Sequence, residues 1–472
     1  MILVKITIIE TTVIKDIAVD DPALNPIAED YSLLTDLYQL TMSACYVGES
    51  IDGRRASFEL FVRQLPHRFG YLIAMGLEQA LEYLEQLHFT PVQIAQLRAT
   101  GLFERAPEAF WTLLETARFA GDVWAVPEGT PIFANQPILR IEAPLWQAQL
   151  VETYVLNAIN YQTLVATRAA RMRDLTGSDC KLLEFGTRRA FSPQASLWAA
   201  RAALAAGFDA TSNVLAAFKL GEQPSGTMAH SLVMALCALQ GSEDAAFSAF
   251  HRYFPDAPLL IDTYDTLEAA KRLAQQVKLG KIQLSGIRID SGDLVSLSQQ
   301  IRQLLPDISI FASGDIDELE IARLQAAGAS IDGYGVGTKL VTGSPVNGVY
   351  KLVEISDIPT MKQSSAKATF PGRKQVFRQV ENGTLVADRL GLATEAPEAG
   401  EQPLLQQVMH QGDRTLGRES LSTLRQRTAQ NVSQLPASAR RLDGAIAIPV
   451  KISNSLQQLT QDVERSLAAS YV

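Results

Sequence analysis

The chain has 472 residues with 42 basic and 51 acidic side chains, a formal charge of −9, and 47% hydrophobic content. That length asks for a large core with a second domain beside it. The acidic balance, without a dense Lys/Arg block, argues against nucleic acid as a main partner, because duplex binding needs a concentrated cationic face.

From the first residue onward, Lys5, Glu10, Lys15 and Asp16 interrupt any signal-peptide core. No apolar run reaches the roughly 18 residues of a membrane span. Cys45, Cys180 and Cys237 form no CxxC pair and read as reduced thiols. The expectation is a cytoplasmic protein with no membrane partner. Residues 1–30 read as an extension, in which VKITIIETTV can form an edge strand. From Tyr31 to Tyr46 a helix is expected, with Leu34, Leu37, Tyr38, Thr41 and Cys45 on one face. ASFELFVRQLP alternates as a strand with Phe58, Leu60 and Val62 on one side, and GYLIAMGLEQALEYLEQL reads as a helix. VWAVPEGTPIFANQPILRIEAPL suggests two or three antiparallel strands in a small sheet.

From about Leu150 to Ile355, Ala/Leu-rich helical stretches alternate with short apolar runs ending in Gly, Asp or Ser: KLLEFGTRR, APLLIDTYD, SGIRIDSGD, DISIFASGD and SIDGYGVGT. This rhythm fits repeated βα units with buried parallel strands. A barrel and an open doubly wound sheet both satisfy it, and both place function at the carboxyl ends of the strands. Beyond Ile355, QVFRQVENGTLV carries a hairpin signal at Asn382-Gly383. LATEAPEAGEQP, about residues 392–403, reads as an exposed linker, and a last helix is expected around Leu456–Ala468.

Four consecutive strand ends carry groups suited to chemistry. Asp262 and Asp265 can hold a divalent ion directly or through water, and Asp290-Ser291-Gly292-Asp293 adds two carboxylates and a hydroxyl. Gly314-Asp315 suits a ribose diol, and Gly335-Val336-Gly337-Thr338 looks like a backbone nest for phosphate. An acid ending a strand is often only the cap of the next helix, but four in succession suggest a sugar phosphate with magnesium. GYGVG is not the dinucleotide motif GxGxxG, and no suitable helix follows it. Arg188 and Arg189 follow another strand end, and Arg288 shares a strand face with Asp290; the plain alternative for each arginine is an ion pair. His230, in SGTMAHS, has a plain structural reading. No His/Cys cluster has zinc spacing, and no GxSxG or Walker A motif is present.

Taken together, LLTDLYQLTM, ASFELFVRQLP, GYLIAMGLE, LLEFGTRRA, GFDATSNVLAA, SGTMAHSLV, IDTYDT, GIRIDSGDL, ASGDID, DGYGVGTKLVT and VYKLVEI make the chain resemble the nicotinate phosphoribosyltransferases from about Tyr31 to about Phe377. The resemblance implies an enzyme that forms nicotinate mononucleotide and diphosphate from nicotinate and 5-phosphoribosyl 1-diphosphate, coupled to ATP hydrolysis, with Mg2+. It implies an irregular α/β barrel of the type II phosphoribosyltransferase kind, in homodimers that share active sites. The domains expected are an extension at 1–30, the barrel at 149–355, and an α+β domain built from 31–148 and 356–472.

Carried over residue by residue, Tyr38 of a neighbouring subunit and Phe185 stack on the pyridine ring. Thr227 and Arg288 contact nicotinate, Arg288 through its carboxylate, and Arg188 and Arg189 lie near base and diphosphate. Asp262, Asp290 and Gly314-Asp315 meet magnesium, diphosphate or ribose hydroxyls, with Asp262 and Asp290 the metal candidates. Gly335, Gly337 and Thr338 take the 5-phosphate, and His230 is the phosphohistidine. Related nicotinamide enzymes carry an aspartate at Ser212, so serine favours nicotinate. A nicotinamide- or quinolinate-using transferase and a catalytically silent sugar-phosphate sensor are the alternatives.

Overall fold

The computed structural model describes residues 24, 26–363 and 368–470, so the expected edge strand in the N-terminal extension lies outside the described residues. Two sheets organise the rest. The first has seven antiparallel strands in the order Ile358–Pro359, Gly348–Ile355, Arg55–Val62, Pro137–Pro144, Asp122–Ala125, Gln406–His410 and Asp413–Arg414. The small sheet expected around residues 122–144 is thus part of a larger one, because segments distant in sequence pair onto both its sides. Alternation in Arg55–Val62 does not mean one exposed face; seven of its eight residues are buried. Glu59 sits on the polar side with its carboxylate 2.9 Å from the buried Lys374 amine, which lets that face be covered.

The second sheet has six parallel strands: β1 (Lys181–Glu184), β2 (Ala210–Thr211), β3 (Leu259–Leu260), β4 (Gly286–Ile289), β5 (Ser309–Ser313) and β6 (Gly333–Val336). Their spatial order is β2-β1-β6-β5-β4-β3. Their apolar side chains pack with the helices, including Glu152–Thr176 and Pro193–Ala205, into one core. The backbone ladder stops at β2 and β3 and does not close between them among the described residues. The chain crosses that gap as residues 224–229, with the Ser225 N–H donating to Thr211 O at 2.9 Å on one edge.

Three expectations change at element boundaries. The helix expected from Tyr31 is a 3-10 turn, Ala28–Leu33, followed by a separate helix, Leu37–Gly48. The break falls where the Thr153 hydroxyl donates to the Asp36 carboxylate at 3.0 Å, a tertiary contact absent from local periodicity. The helix expected from Gly70 begins only at Leu77, after the short strand Leu72–Ile73. Gly76 forces the change: its φ is +100°, and a Cβ there would lie 2.4 Å from Ala158 O. The segment read as a linker contains the strand Glu401–Pro403, and Arg389 binds both Glu395 and Glu401, at 2.7 and 2.6 Å. Acidic residues that look solvating in sequence are held by that one arginine. Elsewhere the pattern holds: Asn382 and Gly383, at φ +49° and +77°, join Lys374–Glu381 to Thr384–Leu392, and the last helix spans Asn454–Ser470. No helix among the described residues is long and apolar enough to cross a membrane.

Candidate functional site

The carboxyl ends of the parallel strands border a cleft of about 680 Å³. Its walls come from the turn after β1 (Phe185, Thr187, Arg188), from Ser212 after β2, from the crossing segment through His230, from Arg288 on β4 and from Asp290 just after it. Phe185 lies flat over β6 because Gly335 has no side chain: a Cβ there would stand 2.4 Å from the ring. In this structure Gly335 is therefore the seat of an aromatic ring.

Arg288 stands 5.9 Å from the centroid of that ring, within cation–π range. Its Nη1 donates to Thr227 Oγ1 at 2.6 Å and its Nη2 to Met228 O at 3.1 Å, which ties the crossing segment to β4. Its Nε is buried with no partner. Burial lowers the affinity of this guanidinium for its proton, Asp290 and Asp262 oppose that, and Arg188 adds to it. A buried cation that lacks one hydrogen bond favours an anion. Arg188 lines the same cleft, and neither it nor Arg189 pairs with a carboxylate among the described residues.

His230 opens the helix His230–Gln240. Its Nδ1 lies 3.2 Å from the Thr263 hydroxyl and its Nε2 3.8 Å from Asp262 Oδ1, so both edges of the ring are oriented while the side chain stays 39% exposed. Asp262 is fixed by its other oxygen, which accepts from the Asp290 N–H at 2.9 Å and the Ser291 hydroxyl at 2.6 Å. Asp262 Oδ1 is buried without a hydrogen bond. Asp290 accepts from the Ser313 hydroxyl at 2.5 Å. No group of three or more His, Cys, Asp or Glu suited to a metal occurs among the described residues. Asp262 Oδ1 and Asp290 nevertheless suit magnesium, which takes one or two carboxylates and keeps its other positions for water and phosphate oxygens.

Other expected residues lie elsewhere. Asp265 and Asp293 cap Thr266–Lys278 and Leu294–Leu304, each accepting from two backbone N–H groups of the first turn. One carboxylate oxygen of each is thus engaged as a helix cap, the plain alternative for an acid at a strand end. Gly314, Asp315, Gly337 and Thr338 sit on the same rim but do not line this cleft. Gly314 has φ +87°, and a Cβ there would meet Asp290 O at 2.3 Å, so the glycine allows the turn to pass over β4. Asp315 follows in the left-handed region at φ +50° and is exposed. Arg189 is exposed beside the cleft, and Tyr38, 47% exposed on Leu37–Gly48, does not line it. Sequence reasoning passed over Thr263, Ser313 and Glu184, which orient the site from beneath. Glu184 had one signal, an acid inside the otherwise apolar run LLEF.

A parallel α/β sheet with an oriented histidine, a partly free arginine and an aromatic floor at its strand ends defines the class: an enzyme acting on a small anionic molecule. Comparison with known proteins makes the class specific. Models of the nicotinate phosphoribosyltransferase N-terminal domain, family and C-terminal domain match residues 33–160, 180–314 and 400–460. The chain is 41% identical over 443 residues to a nicotinate phosphoribosyltransferase of Mycobacterium tuberculosis, covering 90% of this chain and 92% of that one. It is 44% identical over 368 residues to that of Bacillus subtilis, covering 74% and 73%. The crystal structure of human nicotinic acid phosphoribosyltransferase matches with a TM-score of 0.79 at 30% identity, over 91% of this chain and 99% of that one. The chain belongs to the nicotinate phosphoribosyltransferase family.

Proposed function

We propose that this chain transfers the phosphoribosyl group of 5-phosphoribosyl 1-diphosphate to nicotinate, forming nicotinate mononucleotide and diphosphate for NAD biosynthesis. The observation that carries the reading is Arg288, a buried guanidinium with an unpartnered Nε beside an aromatic ring. Nicotinate offers both complements, a planar ring for Phe185 and a carboxylate for Arg288. Ser212 adds no negative charge to that end of the cleft. The six parallel strands then form the wall of an irregular barrel of the type II phosphoribosyltransferase kind, with the crossing segment completing it.

In the reaction the pyridine nitrogen lone pair forms the bond to the anomeric carbon as the carbon–oxygen bond to diphosphate breaks. No proton need move. Phe185 and Arg288 hold the base in line, and Arg188 with Arg189 offer positive charge to the departing diphosphate. Asp290, Gly314 and Asp315 meet the ribose hydroxyls, and Gly337 and Thr338 border the 5-phosphate end. Asp262 and Asp290 would hold magnesium, which supplies charge neutralisation for phosphate oxygens. A neighbouring subunit contributes Tyr38 as the second stacking surface. The proposed location is the cytoplasm.

ATP phosphorylates His230. The ring is presented between Thr263 and Asp262, and the added dianion lies next to the Asp262 carboxylate, where charge repulsion reorganises the site. The test is turnover by purified protein with nicotinate, nicotinamide or quinolinate, each with and without ATP. Nicotinate alone is expected to be consumed, faster with ATP. His230→Ala is expected to lose the stimulation and the acid-labile phosphate label; full retention of both would exclude the phosphohistidine.

A further inference from the structure

Glu184 closes β1 and is 1% exposed, yet no cation among the described residues lies against it. Uncharged donors take its carboxylate: the Thr211 hydroxyl donates to Oε2 at 2.5 Å, and the backbone N–H of Gly186 donates to Oε1. Its main-chain carbonyl also accepts from the Ser212 N–H at 2.9 Å. A carboxylate removed from water without a counter-charge is costly. Burial pushes this carboxyl above its ordinary value, against the pull of Thr211 and Gly186.

The groups it binds belong to the two turns that line the cleft. Gly186 follows Phe185, and Thr211 precedes Ser212. A Cβ on Gly186 would stand 2.3 Å from Val341 Cγ1 and 2.8 Å from Glu184 Oε1, so the first turn is wedged in place. The Thr211 oxygen accepts in addition from the Asn213 N–H at 2.9 Å, and Asn213 caps the helix Val214–Leu220 and donates to Ser196. The side-chain hydrogen bonds of Glu184 thus run to the turn bearing Phe185, which also carries Arg188, and to the turn bearing Ser212.

We infer that Glu184 is a positioning residue for the pyridine base, setting the spacing between the Phe185 ring and Ser212 by joining Gly186 to Thr211. The inference rests on the reading of those two residues as base contacts. Arg188 and Arg189 share the Gly186 turn, but the Thr211 bond reaches the Ser212 side alone, so the nicotinate KM is expected to move more than that of the phosphoribosyl donor.

The experiment is steady-state kinetics on the full chain, with nicotinate and 5-phosphoribosyl 1-diphosphate varied separately, for Glu184→Ala, Glu184→Gln and Thr211→Val. Glu184→Ala is expected to raise the KM for nicotinate about tenfold and leave that for the phosphoribosyl donor within about twofold. Glu184→Gln keeps an acceptor for Gly186 and offers a donor to the Thr211 oxygen, so it recovers most of the loss. Thr211→Val moves the same parameter to a smaller extent. An equal rise in both KM values, an unchanged nicotinate KM, or a glutamine variant as impaired as alanine overturns the inference. If Glu184→Ala does not fold by circular dichroism, Thr211→Val decides by the same two outcomes. A wild-type protein that makes no nicotinate mononucleotide defeats the parent reading instead; wild-type turnover without the KM split defeats only the role of Glu184.

Discussion

Arg288 spends donors on Thr227 and Met228 while one N–H, on Nε, stays buried and unused. Five donors in a rigid plane allow that division, and a lysine ammonium cannot reproduce it. Arg288→Lys is therefore expected to raise the nicotinate KM on the order of tenfold, about 1.4 kcal/mol of lost binding. Steady-state kinetics checks this, and an unchanged KM counts against a carboxylate contact. Alternation in IRID made the arginine legible in the sequence, since it put Arg288 and Asp290 on one face. Nothing local marked the free Nε or the Phe185 ring beside it. Those depend on which strand lies next to which, and β1 does not neighbour β4 in the sheet.

At the scale of the element, the strand-end acids divide by what the following helix needs. Asp265, Asp293 and Asp317 each satisfy two orphan N–H groups at a helix start, whereas Asp262 and Asp290 face the cleft side and bind Ser291 and Ser313. Spacing alone treats all of these carboxylates alike. Asp293→Ala should then cost about 1 kcal/mol of stability, read from the thermal or denaturant midpoint, with kcat kept near the wild-type value. A collapse of kcat in a fully folded variant would restore Asp293 to the chemistry. The same scale explains the glycines. Gly335 and Gly314 read as parts of a phosphate nest and a ribose turn, but each is also required by a close approach, to the Phe185 ring and to Asp290 O.

For the whole molecule, each of the two sheets has its own buried apolar cluster, and polar side chains link them. Arg201 binds Glu128 at 2.5 Å with both groups little exposed, and the N–H groups of Gly76 and Leu77 donate to the same carboxylate. The cleft is built by one subunit except for the proposed second stacking ring. If Tyr38 of a partner completes the site, mixing inactive Tyr38→Ala and Arg288→Ala proteins under exchange conditions restores one intact site per mixed dimer. Random pairing then returns about a quarter of wild-type activity, measured as nicotinate mononucleotide formed. No recovery, with exchange verified by mass, removes the shared site.

The sequence by itself determined the βα rhythm of the parallel strands, the family, and several of the residues that line the cleft, Phe185, His230 and Arg288 among them. Apolar runs and polar strand ends are local consequences of burying a strand on both faces. Tertiary structure alone decided that acids in neighbouring turns differ in role, that the helix after Tyr31 breaks, and that the acidic segment near Glu395 is pinned by Arg389. It also decided that a buried, uncompensated Glu184 links the turns of Phe185 and Ser212. Each of these depends on a partner far along the chain, and a carboxylate's role follows from the donors that reach it.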